Sequence, residues 1–150
     1  MRFFSRTPVR TFVIYPAIAV AWELAANDDQ LRPAYHFAPL MIWGYLQYRL
    51  CGRYRRVLGG GGPGLEAPPQ RLVTTGIYAY TRNPMYLGHI IFLIGLTLTL
   101  KSWIAGLITF GTAIWFHTRV VDDEKRLVQT FGQPYVDYLS SVQRWIPGLF

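Results

Sequence analysis

The chain has 150 residues, 51% of them hydrophobic and 15% charged, with a mean hydropathy of +0.18. Soluble domains carry about 25% charged residues, so the composition argues against an ordinary soluble domain, and the length fits one domain. Lys and Arg number 15 against 8 Asp and Glu, a net charge of +7, and the single Cys51 excludes an intramolecular disulfide and any cysteine-based zinc cluster. A basic balance suits either nucleic acid or the cytoplasmic cations of a membrane protein.

Arg2, Arg6 and Arg10 precede the first apolar stretch, Thr11–Ala26. Tyr15-Pro16 and Trp22-Glu23 interrupt it, and Ala25-Ala26-Asn27 is a poor cleavage site, so it reads as a retained membrane helix rather than a signal peptide. Three more apolar stretches follow, Tyr35–Leu50, Pro84–Leu100 and Trp103–Val121. Each sits near the short end of the roughly 17–25 residues that cross a bilayer. The cations supply independent support. With both termini cytoplasmic, 13 of the 15 fall on the cytoplasmic side, and only Arg32 and Lys101 lie outside. That alternation is what the positive-inside rule predicts for four crossings. Trp22, Tyr35, Tyr86, Trp103 and Trp115 crowd the segment ends as an interfacial belt does. The belt explains these aromatics better than a stacking platform for nucleic acid, and no nucleic-acid partner is expected.

The expected fold is therefore all-α, a polytopic integral membrane protein of about four transmembrane helices. Residues 1–52 form an N-terminal helical hairpin, 53–83 a cytoplasmic loop, 84–121 a second hairpin and 122–150 a cytoplasmic tail. In the loop, Arg53–Arg56 reads as a basic turn at the membrane surface. Gly59-Gly60-Gly61-Gly62-Pro63-Gly64 reads as a flexible linker, because a phosphate loop would need a following Lys-Ser or Lys-Thr. In the second hairpin only Lys101-Ser102 separates the helices, and Gly88, Gly95, Ala105, Gly106, Gly111 and Ala113 would let them approach closely. In the tail the fourth helix continues through Asp122–Val128, Phe131-Gly132-Gln133-Pro134 breaks it, and an amphipathic helix starts at Pro134. Trp145-Ile146-Pro147 would then lie back on the membrane surface.

Two constellations carry chemistry. In Thr81-Arg82-Asn83-Pro84-Met85-Tyr86-Leu87-Gly88, Asn83 suits an N-cap and Pro84 the first helical position. Such a start presents free N–H groups to an anion, with Arg82 as an adjacent cation, although a plain capped membrane helix uses the same residues. On the fourth helix Arg119 and Asp123 share one face, while His117 and Glu124 share nearly the opposite one. Arg119–Asp123 reads either as an ordinary i, i+4 ion pair or as an orienting cation beside a carboxylate that binds a ligand cation. His89, one turn beyond Tyr86, reads as a packed interhelical histidine or as a base at the same cavity.

Leu72-Val73-Thr74-Thr75-Gly76-Ile77-Tyr78, then Thr81–Gly88, then Asp123-Glu124 with Phe131-Gly132, Tyr135 and Tyr138 resemble the C-terminal half of the isoprenylcysteine carboxyl methyltransferase and phospholipid methyltransferase superfamily. The resemblance runs from about Gln70 to Pro147, and its ordered spacing makes it specific. It implies a membrane enzyme using S-adenosylmethionine, with Gln70, Arg71, Leu72, Val73, Tyr78, Asn83, Pro84, Met85, Tyr86 and Asp123 as cofactor contacts. It also implies Arg119 as the substrate-orienting residue. Asn83 stands where the family has His, which keeps hydrogen bonding without an imidazole, and Asp123 stands where it has Glu, one methylene shorter.

The cofactor's charges suit the residues. Arg82 and the helix start suit its carboxylate, Asp123 or Glu124 its ammonium, and no metal is required. A carboxylate acceptor needs only orientation by Arg119, whereas an amine or thiol needs a base, for which His117, His89 or Glu124 are available. The expected partners are a lipophilic or lipidated acceptor and membrane lipid, with the oligomeric state open. An NADPH-dependent membrane reductase of the sterol-reductase type and a non-catalytic membrane scaffold are the alternatives.

Overall fold

The computed structural model describes residues 6–28, 30–60 and 69–146, and every regular element among them is helical. Helix α1 (Thr7–Ala26) is continuous through Pro16. A proline at that position cannot donate to the carbonyl one turn back. The chain absorbs the loss in a π turn over Arg10–Ile14, where the Tyr15 N–H donates to the Arg10 carbonyl. Helix α2 (Ala38–Gly59) follows a 3-10 turn at Tyr35–Phe37. It runs unbroken through Arg53, Arg55 and Arg56, so the basic turn expected there is instead the end of a helix. Arginine is a good helix former, and the stop comes only at Gly60, in the left-handed region at φ +68°.

Helix α3 (Pro84–Leu100) starts at its proline, as the sequence predicts, and its first helical bond runs from the Leu87 N–H to the Asn83 carbonyl. Lys101 then turns at φ +53°, and the Ser102 hydroxyl accepts from the Ala105 N–H at 3.3 Å, capping helix α4 (Trp103–Phe131). At 29 residues α4 is the longest element and carries the polar stretch after Val121 on the same rod. Gly132, at φ +63°, ends it and opens helix α5 (Gln133–Ser141).

By length and composition α1 and α4 can each cross a membrane, and α3 is apolar over 17 residues. Only 11% of the apolar window of α1 and 22% of that of α4 are buried within the chain, unlike the core helices of a soluble protein. The 22 residues of α2 mix apolar and basic, and it does not qualify.

The chain divides into two compact groups. The first, Met1–Leu46 with Gly88–Ile114, has a core of Ala19, Phe92, Leu93, Leu96 and Ala105, flanked by Phe12, Tyr15, Met41 and Leu100. His89 is buried here and stacks on Phe12 at 4.8 Å between centroids. In a lipid environment helices gain from close packing more than from hydrophobicity. The tightest approach is at Gly44, where a Cβ would collide with the backbone of Gly88 and Phe92. Gly95 packs on Leu40 and Met41 of α2 rather than on α4, and Gly111 meets nothing within 4 Å. Of the small residues expected to join α3 to α4, Gly106 does face Thr97 of α3, which a Cβ there would meet at 3.6 Å, and Ala105 packs in the core with Leu93 and Leu96, whereas Gly88 and Gly95 serve α2. The second group, Gln47–Leu87 with Trp115–Phe150, holds the charged residues described next.

Candidate functional site

The C-terminal half of α2 is the platform of this group. The Gly59 carbonyl accepts from the Gln70 and Arg71 N–H groups at 2.8 and 3.0 Å, and Val73 lies against Gly59. Further back, Tyr54 bonds the Thr75 hydroxyl at 2.9 Å and the Tyr78 hydroxyl donates to the Cys51 carbonyl at 3.5 Å. Gly76 takes φ +61° with the Tyr54 hydroxyl where a Cβ would sit. Met85 rests on Gly52, and the buried Gln47 amide donates to the Pro84 carbonyl at 3.0 Å. Residues 70–85 are therefore laid along α2 from its end backwards.

The acidic pair separates as the helical spacing predicts, and each carboxylate finds partners of its own. Asp123, two residues beyond the apolar stretch of α4, is buried. The Tyr86 hydroxyl donates to Asp123 Oδ2 at 3.0 Å and accepts from Arg119 Nε at 3.1 Å. Arg119 Nε and Asp123 Oδ2 form the expected i, i+4 ion pair at 4.0 Å, and the Tyr86 hydroxyl bonds to both of these atoms. Burial pushes the Asp123 carboxyl up, opposed by the Tyr86 hydroxyl and Arg119. Both contacts fall on Oδ2. Arg119 also lies over the Trp115 ring at 5.5 Å, and 41% of its side chain is exposed.

Glu124 faces elsewhere. Arg144 Nη2 donates to its Oε2 at 2.7 Å, and Arg82 Nε and Nη2 lie 3.1 and 3.0 Å from its Oε1. The sequence set Arg82 beside the start of α3 as a cation for an anionic ligand, but its guanidinium turns instead to Glu124 and to the Leu139 and Val142 carbonyls, at 2.7 and 2.6 Å. The expected His117–Glu124 pairing does not form, because two guanidinium groups reach the carboxylate. His117 Nδ1 accepts instead from Trp145 Nε1 at 3.4 Å. The Asn83 carbonyl accepts the first bond of α3, but its side chain does not cap the helix as expected: its amide donates instead to the Arg144 carbonyl at 3.3 Å. The bond to Glu124 raises the Arg144 guanidinium, and burial pushes the Tyr138 phenol up to about 12 and the Tyr78 phenol upward as well. The two tyrosines therefore stay neutral donors near pH 7.

A groove of about 490 Å³ is lined by Arg82, His117, Gln143, Arg144 and Trp145; Asp123 and Tyr86 do not line it. Of the residues singled out in the sequence, Tyr86, Arg119 and Asp123 form one cluster, Arg82, Asn83 and Glu124 a second around Arg144, and Gln70, Arg71 and Val73 a third on Gly59.

The phospholipid methyltransferase family model matches residues 62–133, a span containing the first two clusters apart from Arg144. The chain is 41% identical over 80 residues to a protein-S-isoprenylcysteine O-methyltransferase of Dictyostelium discoideum, covering 52% of this chain and 33% of that one. It is 38% identical over 78 residues to the enzyme of that name from Schizosaccharomyces pombe, covering 51% and 33%. To the human one it is 33% identical over 78 residues, covering 51% and 27%. Residues 62–133 are thus similar to the phospholipid methyltransferase family, and about half of the chain is similar to enzymes named protein-S-isoprenylcysteine O-methyltransferases. The match spans about a third of the length of these relatives.

Two participants were not singled out by the motifs, and a third was read differently. Gln47 belongs to α2 and Arg144 lies in the tail, while Gly59, read as the first residue of a flexible linker, instead ends α2, and residues 61–64 of that linker lie outside the described residues. Gln47 left one signal, an uncharged polar residue inside an apolar run. Arg144, counted among the cytoplasmic cations, left none that set it apart.

Proposed function

We propose that the chain is an S-adenosylmethionine-dependent membrane methyltransferase whose acceptor is the carboxylate of a lipidated molecule, of the prenylcysteine kind. The observation that carries this reading is the Arg119–Tyr86–Asp123 cluster within a segment related to enzymes named protein-S-isoprenylcysteine O-methyltransferases. The relatives speak for O-methylation and lend nothing to the reductase alternative. In this reading the four apolar segments cross the bilayer with both termini cytoplasmic, and the chain acts as one domain.

The donor set fits the cofactor. Asp123 is a buried carboxylate whose two contacts share one oxygen, so Oδ1 can take an ammonium, and a buried charge calls for such a partner. The N–H groups of Met85 and Tyr86 precede the first bond of α3 and can meet a carboxylate. Gln70, Arg71 and Val73 lie at Gly59 and Tyr78 about two turns back at Cys51 on α2, and together with Leu72 they would border the rest of the molecule.

When bound, S-adenosylmethionine supplies a methyl group activated by its sulfonium. Arg119 would orient the acceptor carboxylate, with its guanidinium angle set by the Tyr86 hydroxyl. The methyl group would pass to an acceptor oxygen held by Arg119, the C–S electron pair staying on the departing sulfur. No proton moves, so neither His89 nor His117 is needed as a base. The work of the chain is alignment and charge placement.

Thermal unfolding in detergent tests the reading. S-adenosylhomocysteine should raise the melting temperature by mass action, and NADPH should not. Stabilisation by NADPH alone would favour the reductase, and by neither, the scaffold.

A further inference from the structure

Glu124 has a different task from its neighbour. Three observations define it. The Glu124 carboxylate is buried and held on both oxygens by Arg82 and Arg144. Arg82 in turn grips the carbonyls of Leu139 and Val142 at the end of α5, while its own N–H donates to the Gln143 carbonyl at 3.0 Å. The residues around Arg82 repeat the pattern. The Thr81 hydroxyl and the Asn83 amide both donate to the Arg144 carbonyl, and the Tyr138 hydroxyl donates to the Tyr78 carbonyl at 2.6 Å. Residues 138–145 thus lie as a strap over 78–83, and a single carboxylate joins the guanidinium from each side.

We propose that Glu124 is a positioning residue. It locks the strap onto residues 78–83 and so holds the start of α3, with Met85 and Tyr86, at a fixed distance from Asp123. The inference rests on the methyltransferase reading for what is positioned, and on the clasp geometry for how. Two guanidinium groups already saturate the Glu124 oxygens with donors, so a third cation there would have to displace one of them. Asp123 receives the Tyr86 hydroxyl and the Arg119 ion pair both on Oδ2, which leaves Oδ1 the room that Glu124 lacks. Arg82 and Arg144 also line the groove, so the clasp forms part of its wall.

A ligand role and a positioning role for Glu124 predict opposite effects at Arg144. If Glu124 binds the cofactor ammonium, Arg144→Gln frees its carboxylate, and S-adenosylhomocysteine binds as well as before or better. If Glu124 is the clasp, Arg144→Gln opens the strap and weakens binding, just as Glu124→Gln does.

The experiment measures hydrogen exchange across 138–145 and calorimetric binding of S-adenosylhomocysteine to the full chain in detergent. The variants are Glu124→Gln, Arg144→Gln, their double, and the conservative Arg144→Lys. The expected result is exchange at least tenfold faster in the strap and affinity at least tenfold lower in each single Gln variant. The double should add little, because both changes open one device, and Arg144→Lys should recover part of both signals. Wild-type affinity in Arg144→Gln, or weakened binding in Glu124→Gln with unchanged strap exchange, would overturn the proposal in favour of a ligand role. Faster strap exchange with unchanged affinity would overturn it too. If Glu124→Gln fails to fold, Arg144→Gln alone still decides by its sign. If the wild-type chain binds no S-adenosylhomocysteine, the methyltransferase reading fails, and strap exchange still reports whether Glu124 holds the segment.

Discussion

The Tyr86 hydroxyl donates to Asp123 across two helices at 3.0 Å while accepting from Arg119. One phenol thereby sets both the carboxylate assigned to the cofactor and the cation assigned to the acceptor. Tyr86→Phe keeps the ring, which packs on Phe116 at 4.8 Å, and removes only the hydroxyl. A hydrogen bond to a charged group contributes about 1.5–3 kcal/mol. Affinity for S-adenosylhomocysteine should therefore fall about tenfold or more by calorimetry, with turnover falling further.

Arg119→Lys keeps the charge and loses the planar fork. Turnover should fall roughly ten- to hundredfold, the order of a lost hydrogen bond to a charged group, while S-adenosylhomocysteine affinity changes little. A loss of cofactor affinity matching the loss of turnover would remove Arg119 from the acceptor side.

Burial raises the Asp123 carboxyl, so the folded chain holds that proton more tightly than the unfolded chain does. The sign follows. Without ligand, this group costs stability as pH rises from the ordinary carboxylate value through the raised one, and changes nothing further above it. An ammonium ligand prefers the ionised form, so S-adenosylhomocysteine affinity should drop as pH falls through the raised value. Asp123→Asn should weaken binding and flatten that pH dependence in calorimetric titrations.

Gly44 and Gly111 make a matched pair for packing. A Cβ at Gly44 would strike the Gly88 carbonyl and the Phe92 backbone, whereas at Gly111 it meets nothing within 4 Å. Gly44→Ala should destabilise by about 1–3 kcal/mol, the usual cost of overpacking. Gly111→Ala should be neutral or stabilise by up to about 1 kcal/mol through helix propensity. Thermal unfolding in one detergent reads both.

The parts of the fold that sequence made legible are those decided within a few residues. Pro84 at a helix start, the two-residue turn at Lys101-Ser102 and the break at Gly132 each depend on local backbone chemistry. The extent of α2 was hidden because a run of arginines reads as polar surface yet does not stop a helix. The inward turn of Arg82 was hidden for another reason. Its partners Leu139 and Val142 are 57 and 60 residues away and offer carbonyls, which no side-chain motif records. Gly44 was missed because its neighbour, the backbone of α3, is set by tertiary packing alone.

Asp123 and Glu124 are adjacent residues whose side chains leave the helix about 100° apart, given 3.6 residues per turn. Their difference in role is thus encoded as rotation and not as chemistry. Inserting one residue in α4 between Arg119 and Asp123 would swing the old Asp123 position by one such step and bring a different side chain under Tyr86. The continuity of the 29-residue rod from Trp103 to Phe131 is therefore itself a constraint on the site. A length change inside it should be far less tolerated than one in the turn at Lys101-Ser102, however conservative the inserted residue.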